Sequence, residues 1–141
     1  MRIALLIIGV ALFFGCKNGS KSTKLVDECQ EMLVITPDVT VPISENIEVT
    51  KVFMENDCLL VRIKFNGCEN SNFDLIHNGK VMKSLPPQVN LMLRPIDVNC
   101  ESTAELEKEF KFDIKKLQGI GGDGKAIIRV QNFTEPAVYE Y

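Results

Sequence analysis

From about residue 33 onward, apolar residues recur at every second position rather than every third or fourth. Leu59, Val61, Ile63 and Phe65 alternate with Leu60, Arg62 and Lys64, and Val89, Leu91 and Leu93 with Asn90, Met92 and Arg94. Ala126, Ile128 and Val130 do the same against Ile127, Arg129 and Gln131. A period of two places one set of side chains on one face, so each segment is expected to be a half-buried strand. Val39, Val41 and Ile43 make a weaker series, which Pro42 confines to a sheet edge. Between Ile47 and Met54 the phase changes, from Ile47 and Val49 to Val52 and Met54, which is the mark of a β-bulge.

Ala104 to Ile114 fits two patterns. Leu106, Phe110, Ile114 and Leu117 fall on a helical stripe, and Ser102-x-x-Glu105 has the form of a capping box. A helix would turn Phe112 to solvent, whereas a strand buries it and leaves Glu105, Glu107, Glu109, Lys111 and Asp113 outside. The strand is therefore expected, ending in a short turn over Lys115–Gln118. Turn residues separate the segments: Glu55-Asn56-Asp57, a hairpin signal at His77-Asn78-Gly79-Lys80, and Asp123-Gly124 before the last strong strand. Seven or eight short strands at this spacing predict an all-β chain, an antiparallel β-sandwich of immunoglobulin-like or similar form.

The amino-terminal end obeys a different rule. Arg2 precedes an uninterrupted apolar run from Ile3 to Phe14, followed by Gly15 and Cys16. That is the layout of a secretory signal. Its 12 residues fall short of the roughly 20 needed to span a bilayer. With a cysteine straight after Gly15, the segment resembles a bacterial lipoprotein leader, although Phe13 and Phe14 are bulkier than that family's usual residues. The resemblance implies cleavage before Cys16, whose thiol and new amino terminus then carry acyl chains such as palmitate. Lys17 to Lys24 holds no apolar residue and reads as a flexible tether. The expected organisation is a cleaved signal peptide over residues 1–15, a lipidated cysteine with tether and lead-in over 16–32, and one sandwich domain over 33–141.

Cleavage leaves 126 residues, enough for one domain, with 15 Lys+Arg against 19 Asp+Glu. Mild acidity gives no footprint for nucleic acid, which calls for a clustered basic surface. Contact with the membrane would then come through the acyl chains on Cys16. Four further cysteines remain, Cys29, Cys58, Cys68 and Cys100, and an even number in an exported chain predicts two disulfides. Ten residues of extended strand would hold Cys58 and Cys68 roughly 30 Å apart. A disulfide tolerates roughly 4.4–6.8 Å between α-carbons. Of the three connectivities, Cys29–Cys58 with Cys68–Cys100 is favoured, each closing a loop of about 30 residues. No close cysteine pair has zinc-site spacing and His77 is the lone histidine, so no metal is expected.

Gly119-Ile120-Gly121-Gly122-Asp123-Gly124 matches the dinucleotide pattern G-x-G-x-x-G in letters. The motif must follow a strand and open a helix, whereas here a turn precedes and a strand follows. No G-x-S-x-G elbow is present. His77, beside the Asn-Gly signal, is expected to be an exposed turn residue rather than a general base. The acidic row Glu105, Glu107 and Glu109 is expected to be a solvated strand face that discourages edge pairing. Ser84-Leu85-Pro86-Pro87-Gln88 should redirect the chain between sheets.

Asn66-Gly67-Cys68, Ser84 through Leu93, Asp97-Val98-Asn99-Cys100 and Phe110 through Ile114 together resemble small envelope lipoproteins of the Bacteroidetes type. That resemblance implies no catalytic residue and no cofactor. It implies a lipid-anchored envelope protein, a non-catalytic binding or accessory module whose partner is an envelope protein or a small ligand. Residence is expected at the outer membrane, on its periplasmic face, because the tether carries lysines where a surface-export tag is acidic. The second reading is an inhibitor of an exogenous hydrolase such as a lysozyme or protease, and the third is a small enzyme.

Overall fold

The computed structural model describes residues 29–96, 104–120, 122 and 124–141. Within them the chain forms nine strands: β1 (Glu31–Met32), β2 (Val34–Ile35), β3 (Ile47–Glu55), β4 (Cys58–Gly67), β5 (Asn72–Met82), β6 (Gln88–Ile96), β7 (Ala104–Asp113), β8 (Lys125–Val130) and β9 (Ala137–Glu140). A single 3-10 turn, Lys115–Leu117, separates β7 from β8. The strands build a β-sandwich of two sheets, β1-β7-β4-β3 and β2-β5-β6-β8-β9. The alternating segments supply its inner faces. Val61, Ile63 and Phe112 from one sheet and Leu75, Val89 and Ile128 from the other meet in one buried cluster.

Both sheets are mixed, where the sequence predicted purely antiparallel ones. β3–β4, β4–β7, β5–β6 and β8–β9 are antiparallel, while β1–β7, β2–β5 and β6–β8 run parallel. The β6–β8 pair is parallel because the chain crosses to the other sheet as β7 between them. A parallel pair needs such a crossover, and here a strand rather than a helix provides it.

The 104–113 segment is a strand, and the phase change in β3 is a register shift between Val49 and Lys51. Thr50, the extra residue, turns its hydroxyl to the Arg62 carbonyl at 3.3 Å. Other expectations are corrected. Val39 to Ile43 is irregular rather than a strand, because Pro37 and Pro42 lack the N–H groups a ladder needs. Val41 is buried all the same, and its carbonyl accepts a hydrogen bond from the Gln131 amide side chain at 3.2 Å.

His77-Asn78-Gly79-Lys80 is not a hairpin turn. β5 continues through it with a register shift between His77 and Val81, then pairs Val81 with Val89 and Met82 with Gln88. Gly79, at φ +77°, takes the left-handed conformation that an Asn-Gly turn would also use. The reversal falls instead at Lys83–Pro87, so this Pro-Pro segment joins two strands of one sheet rather than redirecting the chain between sheets. Leu60, assigned by alternation to the polar face, is buried there, flanked by Phe53 and Lys111 across the ladders. Residues 29–32, expected in the lead-in, already carry β1 and one half of a disulfide.

Replacement of a fully buried aliphatic side chain at the centre of β4 should be costly. Ile63→Ala should lower the unfolding free energy by about 2–5 kcal/mol in denaturant titration. Arg62→Ala, on the outer face with its partially exposed ion pair to Glu109, should cost about 1 kcal/mol or less.

Candidate functional site

The predicted site residues fall into separate places. Cys16 and Cys100 lie outside the described residues, as do the tether lysines Lys17, Lys21 and Lys24. Cys29 and Cys58 form a disulfide with α-carbons 5.6 Å apart, the pairing favoured from the sequence. Cys58 opens β4 beside Asp113 of β7, so the bridge fastens the start of the described chain to the strand at the centre of the first sheet. Cys68, ten residues on, is itself disulfide-bonded. Its turn is closed by Ser71, whose hydroxyl accepts the Cys68 N–H at 2.9 Å and whose N–H donates to the Cys68 carbonyl at 3.0 Å.

His77 is buried, with 2% of its surface exposed, and not the turn residue that was expected. The Asn-Gly pair beside it serves a bulge inside β5 and not a loop, so the imidazole faces Leu91 across the ladder. Its Nδ1 is buried without a hydrogen-bond partner. Desolvation lowers its pKa below the ordinary 6.5, against a smaller opposing effect from a hydrogen bond with the Asn90 backbone. The native side chain is therefore a neutral imidazole.

The acidic row decorates the outer face of the first sheet. Glu107 and Glu109 lie directly across β4 from Lys64 and Arg62, and Glu105 lies across from Asn66. Arg62 donates to Glu109 at 3.0 Å, and the Thr50 hydroxyl to Glu107 at 3.3 Å. Opposite charges thus stand across the ladder from two of the three carboxylates. At the Gly67 end, Glu45, Asn46, Glu48, Lys64, Asn66 and Glu105 surround a shallow polar recess of about 280 Å³. Its side chains offer carboxylate, amide and ammonium groups over a floor of paired strands.

A second depression has the opposite character. Val81, Met82, Lys83, Ser84, Leu85, Pro87 and Ile120 line an open apolar groove of about 610 Å³ at the β5–β6 turn. Ile120 reaches it from the glycine-rich loop, in which Gly119, Gly122 and Gly124 all have positive φ. The 3-10 turn precedes that loop and β8 follows it, so no helix terminus faces a phosphate there.

One polar network, built on the hydroxyl of the buried Tyr139, was not legible in the sequence. The Tyr139 hydroxyl of β9 donates to Asp57 at 2.8 Å and accepts from the Gln118 amide at 3.0 Å. The Gln118 amide also reaches Asp57, at 3.2 Å, and Lys115 stands 3.8 Å from the same carboxylate. Burial first, then the hydrogen bond to Asp57, pushes the Tyr139 phenol up to about 12. The network ties the last strand to the β3–β4 turn and the 3-10 turn. The only sequence signal for it was the alternation of Ala137, Tyr139 and Tyr141 near the end of the chain.

Family models, curated proteins and solved structures yield no match to this chain. Its function must be argued from its own residues.

Two expectations follow from the buried polar groups. Because folded His77 resists protonation, the unfolded state binds more protons once the pH falls below 6.5. Stability attributable to this residue is thus complete above that value and lost as the pH falls towards the lowered native pKa. Denaturant midpoints should show an extra slope of up to about 1.4 kcal/mol per pH unit in that window. His77→Leu should abolish the slope and, by removing an unpaired buried acceptor, should be neutral or stabilising at pH 7. Tyr139→Phe strands the Asp57 and Gln118 groups and should cost about 1–3 kcal/mol in the same measurement.

Proposed function

We propose that this chain is a lipid-anchored protein of the cell envelope, with acyl chains on Cys16 and a sandwich that serves as a non-catalytic binding or accessory module. The observation that carries the reading is the Cys29–Cys58 disulfide. Disulfides of this kind persist in oxidising compartments, which suits an exported chain and the leader that ends at Cys16. The bridge also lies where the tether would hand over to the domain, so force on the anchor passes into β4 rather than fraying β1. Cys68 is bonded as well. Cys68–Cys100 is the second bridge of this proposal.

The binding role draws on the polar recess at the Gly67 end of the first sheet, away from Cys58. A domain tethered beside Cys58 presents that recess outwards. The lysine-bearing tether favours the periplasmic face of the outer membrane, and the partner class is an envelope protein or a small polar ligand.

Mass spectrometry of the mature protein, mapped without reduction, should return an acylated Cys16 at the amino terminus and a Cys68–Cys100 peptide. The protein should fractionate with membranes, and Cys16→Ser should block processing while leaving the sandwich folded. A soluble product that begins at any other residue would overturn the anchor. Cross-linking in intact envelopes should capture a resident complex. Capture of a foreign lysozyme or protease, with inhibition of its activity, would replace the accessory role with that of an inhibitor.

A further inference from the structure

Leu85 is 89% exposed, the most exposed of the large apolar side chains among the described residues, and Met82 beside it is 42% exposed. Single exposed apolar residues are ordinary on a soluble protein. Here the exposure is contiguous and held in place. Ser84 closes the turn on itself: its N–H donates to the Met82 carbonyl at 3.0 Å and its hydroxyl to the Pro86 carbonyl at 2.6 Å. Pro86 and Pro87 further limit the backbone. A tip held in one shape loses little conformational freedom when it is buried by a partner. The groove around it carries one charged side chain, Lys83, which is positive.

The position of the tip in the fold indicates the partner. Cys58 and Asp57 lie at the β3–β4 turn, where the Asp57 carbonyl accepts the Ile114 N–H at 3.0 Å. From Ile114 the chain runs through the 3-10 turn to Ile120, whose N–H donates to the Leu117 carbonyl at 3.3 Å and whose side chain lines the groove. The disulfide that receives the tether and the apolar tip therefore lie at the same end of the sandwich. Twelve residues separate Cys16 from Cys29. A flexible linker of that length spans about 20 Å on average and about 40 Å at full stretch. An anchor on Cys16 keeps this end of the domain within that distance of the lipid, at a high effective concentration.

We propose that the 83–87 tip is a second, non-covalent membrane contact, in which Leu85 and Met82 enter the boundary between headgroups and acyl chains while Lys83 meets headgroup phosphates. The inference rests on the reading of Cys16 as the lipid anchor. An apolar tip with an adjacent lysine suits such a boundary, because the lysine stem lies along apolar surface while its ammonium stays in the polar layer. Two points of contact fix the orientation of the sandwich. A single tether would let it tumble. With the tip down, the recess around Glu45, Glu48 and Glu105 faces away from the bilayer.

The chain contains no tryptophan, so one substitution gives an unambiguous fluorescent reporter. Mature acylated protein carrying Leu85→Trp would be reconstituted on phosphatidylethanolamine–phosphatidylglycerol vesicles, with and without brominated acyl chains. Asn46→Trp, at an exposed position beside the recess, is the reference. The Leu85→Trp protein should show blue-shifted emission on vesicles and clear quenching by bromine, and the Asn46→Trp protein neither. Both sites are exposed, and far-UV circular dichroism checks that the fold is kept. Co-flotation of the Leu85→Trp protein with water-like emission, or quenching no greater than at position 46, would overturn the tip contact and leave the anchor standing. A blue shift without bromine quenching would place the tip against a second copy of the chain and overturn the proposal. Failure of the acylated protein to float would overturn the anchor and the tip contact together.

Discussion

Phe73 holds the two sheets together. From β5 it meets Phe65 of β4 edge-on at 5.0 Å and Phe110 of β7 at 5.2 Å. Aromatic pairs in this arrangement gain about 0.5–1.5 kcal/mol beyond the burial of their surface. The contact also sets geometry: β5 begins just after the turn that leaves β4, so Phe73 seats the start of β5 against β4 and β7. Leu75, Val89 and Leu91 cover the first sheet from β5 and β6, and β8 and β9 extend that layer.

The first sheet manages its exposed edge with charge. β1 pairs with β7 only at Phe112 and Asp113, which leaves the Ala104–Lys111 stretch with β4 as its ladder partner on one side. Glu105, Glu107 and Glu109 lie along this stretch. Lys108, on the inward-facing parity, reaches out to the Glu69 carbonyl at the β4–β5 turn. A charged side chain that points inwards near an open edge discourages a further strand from pairing there. The acidic row is thus a structural device as well as part of the surface beside the polar recess.

The two ends of the sandwich differ in chemistry. The Cys58 end gathers a disulfide, the Tyr139–Asp57–Gln118 network and the apolar tip at Leu85, so it is stiff, cross-linked and partly greasy. The Gly67 end, where Cys68 is also disulfide-bonded, carries carboxylates and amides. A lipid anchor reached through the Cys58 end would sort these two chemistries into a membrane side and an outward side. In the proposed reading, that polarity would give an otherwise plain β-sandwich a direction for binding.

Alternation alone determined most of this architecture. Leu59 to Phe65, Val89 to Leu93 and Ala126 to Val130 are strands because a period of two leaves no other way to bury one face. The β3 bulge was legible as a change of phase; the reach of a strand excluded only Cys58–Cys68, and Cys29–Cys58 was preferred from the places of the cysteines beside the strands. What could not be read locally was decided by partners distant in sequence. Asn78-Gly79 supports a turn or a bulge equally well, and β5 runs on through it because Val81 and Met82 find Val89 and Gln88. His77 is buried for the same reason. β8 lies parallel to β6 only because β7 departs to the other sheet, and Tyr139 becomes a core residue only where Asp57 and Gln118 await its hydroxyl. Local pattern fixes which face of a strand is apolar, whereas pairing, direction and the ends of the sandwich depend on contacts that exist only once both sheets have met.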